Sequence, residues 1–136
     1  MSTKPTILED GATCDPIAPF IDERGVIQPI IDTDIGGCAI ITSKPGAVRA
    51  NHFHKTDWHY CYVISGSIKY FHRPVGADTS PETMIYGPGS VFYSPPMVEH
   101  AMEFLEETTF IVVSKLSRDH DDYENDVMRV DDLTRA

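Results

Sequence analysis

Short apolar stretches alternate with turn residues through the middle of the chain, and this pattern is typical of an all-β protein. The clearest stretch covers residues 58–64, where aromatic and β-branched residues precede Gly66, and such a run predicts a strand that ends in a turn. The same pattern predicts further strands at residues 35–42, 67–72, 84–86, 91–93, 101–105 and 109–115. Many short strands separated by turns indicate a β-sandwich or a barrel.

The two ends of the chain have a different character. Residues 10–29 contain prolines and glycines between short apolar stretches, which predicts an arm with edge strands. Residues 118–136 are mostly charged, and the acids between Asp119 and Asp126 predict a solvated surface or the start of a short helix. We expect one domain over residues 1–136, with an arm over about 1–30, a barrel over about 31–116 and an acidic tail over about 117–136.

Four histidines fall on or beside the predicted strands. His52 and His54 are two residues apart, so on a strand both imidazoles point to the same face. His59 follows after a polar, turn-compatible tripeptide, and His100 precedes a later strand. The inward faces of a small barrel would bring these four imidazoles together.

Imidazole is both the commonest metal ligand in proteins and the commonest acid–base group near neutral pH. Three or four imidazoles suit Zn, Fe, Ni, Cu or Mn, and the ligand type alone does not choose among these metals. The same histidines could instead transfer protons without a metal, or could be polar side chains with satisfied hydrogen bonds at a barrel mouth. From the residues alone, all three interpretations stay open.

The first histidine segment resembles the first motif of the cupin superfamily. That motif is Gly, five residues, His-x-His, three or four residues, Glu, six residues and Gly. The chain follows it from Gly46 to Gly66, with His59 in the glutamate position.

The second segment resembles the second cupin motif, which is Gly, five residues, Pro, x, Gly, two residues, His, three residues and Asn. The chain matches it at Gly89, Pro95 and His100, whereas Met97 replaces the second glycine and Phe104 replaces the asparagine. The resemblance implies an all-β cupin fold, a double-stranded β-helix or jelly-roll barrel, followed by a short C-terminal helix or tail.

The cupin resemblance also implies a metal site. The implied ligands are His52, His54, His59 and His100. Since His59 removes the negative charge of a glutamate, a neutral set of nitrogen ligands favours Zn, Ni or Fe over Mn.

A narrower resemblance connects the chain to sugar-nucleotide enzymes. The segment from Arg49 to Lys55 is similar to the Arg-Gly-x-His-x-His-Lys stretch of dTDP-sugar 3,4-ketoisomerases and to the Arg-Gly-x-His region of dTDP-4-dehydrorhamnose 3,5-epimerases, with Ala50 in the glycine position. Residues 22–25 are similar to the Asp-x-Arg-Gly stretch of both families. The Asn-His-x-His segment that begins at Asn51 is similar to the cupin domain of capsular nucleotide-sugar enzymes.

These families imply an acid–base mechanism. A keto group acidifies the neighbouring C–H, a neutral imidazole removes the proton, and reprotonation inverts the centre or moves the carbonyl. By family position His52 is the base and His54 its partner, and a histidine with a pKa near 6.5 suits this task.

The same resemblance assigns the remaining candidates. Arg24, Arg49 and Lys55 would hold a diphosphate, for which guanidinium offers bidentate hydrogen bonds. Tyr70 and Tyr93 are the candidates for a general acid or a stacking surface.

The leading prediction is a metal-binding cupin that epimerises or isomerises a keto sugar, with a divalent ion, Zn, Ni or Fe, as cofactor. One rival is an Fe(II)-dependent dioxygenase that uses the same histidines as ligands. Another is a sugar- or metabolite-binding module without catalysis.

Charge and composition restrict the partners. A formal net charge of −10 and a pI of about 4.8 argue against nucleic acid, because phosphate neutralisation needs clustered cations. They allow a small anionic sugar derivative in a locally basic pocket.

The apolar runs are too short to cross a membrane, no signal peptide is visible and the three cysteines lack pair spacing, so we expect a cytoplasmic protein. The cupin resemblance implies a homodimer that pairs through residues 10–29.

Overall fold

The computed structural model of the protein describes residues 2–136, except for the side chain of residue 120. Strands dominate the chain, and one short α-helix follows the last long strand. The elements are β1 (Thr6–Ile7), β2 (Thr13–Asp15), β3 (Phe20–Asp22), β4 (Gly25–Ile27), β5 (Gly37–Ser43), β6 (Val48–His54), β7 (His59–Ser65), β8 (Ile68–Pro74), β9 (Glu82–Tyr86), β10 (Val91–Ser94), β11 (Val98–Phe104), β12 (Thr108–Ser114), α1 (His120–Asp126) and β13 (Val127–Arg129), before a 3-10 turn at Leu133–Arg135.

Two antiparallel sheets build the barrel. The first has six strands in the order β1-β2-β10-β7-β12-β5, and the second has five in the order β13-β6-β11-β8-β9. Strands β3 and β4 form a separate hairpin. Because neighbours in each sheet are mostly distant in sequence, the chain crosses between the sheets as a jelly roll does. The predicted all-β cupin barrel with a short C-terminal helix is confirmed.

The apolar core lies between the two sheets. Phe104 on β11 and Phe110 on β12 are fully buried, and their rings stack with centroids 5.7 Å apart. Phe104, which replaces the asparagine of the second cupin motif, therefore contributes to the core, where an aromatic ring buries a large apolar area.

The N-terminal arm divides into two parts. Strand β2 joins the six-stranded sheet beside β10, as expected for an edge strand. The β3–β4 hairpin instead pairs only with itself among the described strands, and its apolar side chains are exposed. These side chains are Phe20, Ile21, Val26 and Ile27, each exposed by 59–67%.

The tail returns to the barrel rather than lying loose on its surface. The predicted helix is present, and the Asp119 carboxylate caps it by accepting a hydrogen bond from the N–H of Asp121. Strand β13 then pairs with β6, and Leu133 is fully buried. The expectation of a solvated acidic surface is wrong for Asp126, which is buried because the β13 pairing draws it against the barrel.

Two residues in the places of motif glycines have a left-handed backbone. Ala50 has φ 73° and Met97 has φ 61°, a region that L-residues other than glycine rarely occupy. Both positions flank the histidine segments. No helix of the described chain is long and apolar enough to cross a membrane.

Candidate active site

The structure brings the four motif histidines together inside one end of the barrel. Ring centroids are 4.8 Å apart for His52 and His54, 4.8 Å for His52 and His100, and 4.6 Å for His54 and His59. All four side chains are buried. Strand pairing explains the convergence, since His52 on β6 is the cross-strand partner of His100 on β11, and paired residues share a face.

Two buried carboxylates orient two of the imidazoles. Asp126 Oδ2 lies 3.2 Å from His54 Nδ1, and Asp57 Oδ2 lies 2.9 Å from His59 Nε2. Asp126 is itself fixed, because its carboxylate accepts hydrogen bonds from the Thr56 N–H, the Thr56 hydroxyl and the Asp57 N–H. A carboxylate can only accept, so the bonded nitrogen of each imidazole carries the proton.

The other nitrogen of His54 has no partner. Among the described side chains, His54 Nε2 is the buried polar atom without a hydrogen bond, and leaving such an atom unsatisfied costs about 1–3 kcal/mol. With the Nδ1 proton directed to Asp126, the Nε2 lone pair faces the other imidazoles. A carboxylate behind a histidine is the usual support of a metal ligand.

The donor set fits a divalent ion. One nitrogen each from His52, His54 and His100 lie within 4.8 Å of one another, and the same holds for ligand atoms of His54, Asp57 and His59. Nitrogen donors of this kind suit Zn, Ni or Fe. His54 Nε2 is buried without a hydrogen-bond partner, and a bound ion would give it one. This unpaired nitrogen supports a metal at this site in particular.

Burial keeps His52, His54 and His100 neutral at pH 7. Burial, reinforced by the neighbouring imidazoles, lowers the pKa of His52 to about 3, the pKa of His54 to about 4, and the pKa of His100 well below its usual range. For Asp126, burial alone would raise the pKa, but the hydrogen bonds from Thr56 outweigh it and the pKa is lowered. The site therefore combines neutral bases with ionised supporting carboxylates.

A pocket of ≈ 140 Å³ opens beside the cluster. Its walls include His52, His59 and His100, the cations Arg49 and Arg118, and the ring of Tyr123. Pockets that enclose whole drug-sized ligands have about 300–1,000 Å³. Of a ligand as large as the nucleotide sugar predicted from the sequence, only part would therefore fit inside.

The two predicted tyrosines have different positions. Tyr70 is fully buried beneath the pocket, and its hydroxyl lies 2.7 Å from the Ser94 hydroxyl, which lines the pocket. The structure does not bring Tyr93 to the histidines of the same chain, because strand alternation on β10 points Ser94 inward and Tyr93 outward. Tyr93 packs against Tyr60 outside the barrel, with centroids 4.6 Å apart.

Of the three predicted cations, Arg49 alone lines the pocket. Its guanidinium donates to the Ser43 hydroxyl at 2.8 Å and to the Thr42 carbonyl at 3.1 Å. Arg24 lies on the separate hairpin and pairs with Asp22 at 2.6 Å.

Lys55 lies in another depression on the surface, which the tail borders. The structure therefore does not bring Arg24 or Lys55 to the histidines of the same chain. The turn after His54 directs Lys55 outward, and the hairpin holds Arg24 away from the barrel mouth.

Sequence reasoning missed four residues of this site. Asp57 could have been found, because its i,i+2 spacing from His59 places both side chains on one side of an extended segment. Asp126, Arg118 and Tyr123 reach the site only through the return of the tail, and no local pattern marks them.

The fold and the buried histidine cluster define a cupin with a candidate metal or acid–base site. The chain belongs to the polysaccharide biosynthesis C-terminal domain family, whose model matches residues 20–128. The recognition of a cupin from its two motifs is confirmed.

Solved structures agree with this assignment. QdtA, a sugar 3,4-ketoisomerase from Thermoanaerobacterium thermosaccharolyticum in complex with TDP, has a TM-score of 0.69 and 23% identity, covering 90% of this chain and 88% of that chain. WlaRA, a TDP-fucose-3,4-ketoisomerase from Campylobacter jejuni, has a TM-score of 0.69 and 12% identity, covering 83% of this chain and 84% of that chain. These likenesses establish the fold.

A third structure shares more sequence but is much longer. The capsular polysaccharide assembling protein CapF from Staphylococcus aureus has 26% identity and a TM-score of 0.60, covering 85% of this chain and 32% of that chain. No curated protein sequence matches the chain.

Proposed function

We propose that the protein is an isomerase of nucleoside-diphosphate-linked keto sugars. The observation that carries this proposal is the cluster of buried imidazoles, two of them hydrogen-bonded to carboxylates, beside a pocket that two arginines border. The names of the neighbouring structures, 3,4-ketoisomerases of TDP-linked sugars, support the same substrate class.

The chain offers a base in the unprotonated state that proton abstraction requires. His52 lines the pocket and is neutral, so it can accept the proton from the carbon next to a keto group. The resulting imidazolium then gives the proton to the former carbonyl carbon while the hydroxyl proton passes through solvent to the former keto oxygen, which moves the carbonyl. Inversion of the centre would instead need a second acid on the opposite face. Arg49 carries positive charge at the same pocket and would attract the anionic part of the substrate.

A divalent ion is the proposed cofactor. His52, His54 and His100 would hold it, with His59 as the fourth ligand proposed from the motif. Such an ion, when bound, would polarise the keto oxygen and stabilise an enolate. A nitrogen of His52 cannot bind a metal and accept a proton at the same time, so the metal content decides which role His52 has.

The first experiment is elemental analysis of untagged protein purified without chelator, beside the His54→Ala/His100→Ala variant. Near-stoichiometric zinc or nickel in the wild type alone supports the metal-dependent isomerase. Iron, together with oxygen consumption, would replace it with the dioxygenase. Absence of metal after reconstitution would assign His52 to metal-free proton transfer.

The second experiment measures catalysis directly. TDP-4-keto-6-deoxyglucose, which a QdtA variant binds, is incubated with the protein in D2O, and deuterium at the carbon next to the carbonyl is followed by NMR. We expect exchange in the wild type and a loss of at least about 100-fold in His52→Ala, with an unchanged circular dichroism spectrum.

Tyr93→Phe is the matched control, because its hydroxyl lies outside the barrel and exchange should persist. Full exchange in His52→Ala would reject His52 as the base. Binding of the sugar nucleotide without any exchange in the wild type would favour a binding module.

We also propose that the protein forms a homodimer. Tyr62, Ile111 and Ile40 are neighbours across β7, β12 and β5. Ile40 is 68% exposed, and the other two are partly exposed on the outer face of the six-stranded sheet. An apolar outer face of this kind, together with the exposed apolar hairpin, marks a protein-interaction surface.

A further inference from the structure

The segment that follows β12 crosses the open end of the barrel, and we call it the C-terminal strap (residues 115–130). Its first residues are fixed beside His59 of β7. The Lys115 N–H donates to the Trp58 carbonyl at 3.1 Å, and the Leu116 N–H donates to the Asp57 carboxylate at 3.0 Å. The strap therefore begins on the same aspartate that supports His59.

The far end of the strap is fixed to the other histidine strand. Val127 on β13 pairs with His54 on β6, and the Val130 N–H donates to the Asn51 carbonyl at 2.9 Å. Asp126 also contacts His54 through its carboxylate. Both ends are thus attached to residues that carry or flank the histidines, so the part between them has a defined place over the pocket.

Between these attachments the strap contributes two side chains to the pocket wall. Arg118 and Tyr123 both line the pocket, and the Arg118 guanidinium lies 5.6 Å from the centroid of the Tyr123 ring. That ring is half-buried and lies 5.9 Å from the His54 ring. The face of the tyrosine therefore supports the cation, as in other cation–π pairs.

Among the described residues, the Arg118 guanidinium has no hydrogen-bond partner. Asp119, Asp121 and Asp122 are close in sequence, yet among the described residues no carboxylate lies within salt-bridge distance of Arg118. By contrast, Arg49 already donates to the barrel backbone and to Ser43. Arg118 is exposed, so its donors face the region where a ligand too large for the pocket would emerge.

We propose that the C-terminal strap selects ligands that carry a diphosphate, with Arg118 binding the diphosphate and Tyr123 holding Arg118 in place. Guanidinium forms bidentate, charge-assisted hydrogen bonds with phosphate oxygens. This inference rests on the proposed function, because it takes the ligand to be a nucleotide sugar whose sugar enters the pocket while its diphosphate lies at the mouth.

Calorimetric titration with TDP tests the inference without any need for turnover. Arg118→Gln should raise the Kd for TDP by about 10- to 100-fold, as expected for lost hydrogen bonds to a charged group. Arg135→Gln, which removes the same charge from an exposed tail position, should leave it unchanged. Thymidine, which lacks the diphosphate, should bind wild type and Arg118→Gln equally. Equal TDP affinity of wild type and Arg118→Gln would overturn the inference.

A second set of variants tests the role of Tyr123. Tyr123→Phe keeps the ring and should keep the TDP affinity, whereas Tyr123→Ala should weaken it. In the Arg118→Gln background, Tyr123→Ala should have no further effect, because the two residues act as a unit. An equal loss from Tyr123→Ala in both backgrounds would overturn its assignment as the residue that positions Arg118.

The outcomes separate this inference from the proposed function. Deuterium exchange in the wild type with unaltered TDP affinity in Arg118→Gln rejects the strap assignment alone. TDP binding through Arg118 without exchange rejects the isomerase alone. Failure of the wild type to bind either TDP or UDP rejects both.

Discussion

Two substitutions in the motifs keep the backbone conformation of the glycines that they replace. Ala50 and Met97 stand where the related patterns have glycine, and both have positive φ. A Cβ in this conformation is too close to the following carbonyl oxygen, at a cost of about 1–2 kcal/mol. The chain therefore retains the glycine geometry beside the site without the glycines.

Restoring either glycine should stabilise the protein. We expect Ala50→Gly and Met97→Gly each to raise the free energy of unfolding by about 0.5–1 kcal/mol, since relief of strain outweighs the added backbone entropy of the unfolded chain. Urea denaturation followed by circular dichroism measures the change. Ala39→Gly within β5 is the control and should destabilise, and similar losses from Ala39→Gly and Ala50→Gly would contradict the argument.

Neutral His52 and His54 predict that the stability of the metal-free protein is sensitive to acid. Unfolded histidine has a pKa of about 6.5, whereas the folded pKa is about 3 for His52 and about 4 for His54. Between these values the unfolded chain binds more protons, so the free energy of unfolding falls as pH falls.

This effect can be measured on chelator-treated protein between pH 7 and pH 5, above the range in which the carboxylates titrate. Each imidazole should contribute up to about 1.4 kcal/mol per pH unit. The slope should be smaller in His52→Asn. Stability that is independent of pH over this range in the wild type would disagree with neutral, buried imidazoles.

At the scale of elements, β6 has two functions. It carries His52 and His54 on its inner face, and its edge receives β13. That pairing positions Asp126 behind His54. The five-stranded sheet therefore carries histidines of the site and also positions the carboxylate that orients one of them.

Asp126→Asn should weaken metal binding by about 10- to 100-fold, the usual effect of losing a supporting carboxylate. Competition with a chromophoric chelator measures the affinity. Asp122→Asn, on the exposed side of α1, is the matched control and should behave as wild type. Equal affinity of both variants would show that Asp126 has no role in orienting His54.

The sequence predicts those elements that depend on local patterns, and it does not predict those that depend on pairing between distant segments. The central strands and the convergence of the histidines follow from a period of two, which is a local property. The same period could have excluded Tyr93, because Ser94 points inward. The positions of Asp126 and Tyr123 depend on β13 pairing with a strand more than 70 residues earlier, and short charged segments carry no signal for such a partner.

At the scale of the whole molecule, four strongly exposed apolar side chains lie together on the β3–β4 hairpin. The outer face around Ile111 is apolar, although a sheet with one face in water normally alternates. The arm predicted from residues 10–29 thus ends in a hairpin whose exposed side chains are available to a second copy.

The proposed dimer should depend on that hairpin. We expect size-exclusion chromatography with light scattering to give the mass of a dimer for the wild type and of a monomer for Ile21→Glu. Ile85→Glu, at a position of similar exposure on β9 of the other sheet, should remain dimeric. A monomeric wild type at micromolar concentration, or a dimeric Ile21→Glu variant, would reject this interface.

The distance along the chain between His54 and Asp126 also affects biosynthesis. Because chains are synthesised from the N-terminus, the imidazoles of β6 and β7 leave the ribosome well before the carboxylate that orients His54. His54 thus has no carboxylate behind it until the strap arrives. In the proposed metal site, tight metal capture would therefore wait for Asp126, and thus for the strap that carries it.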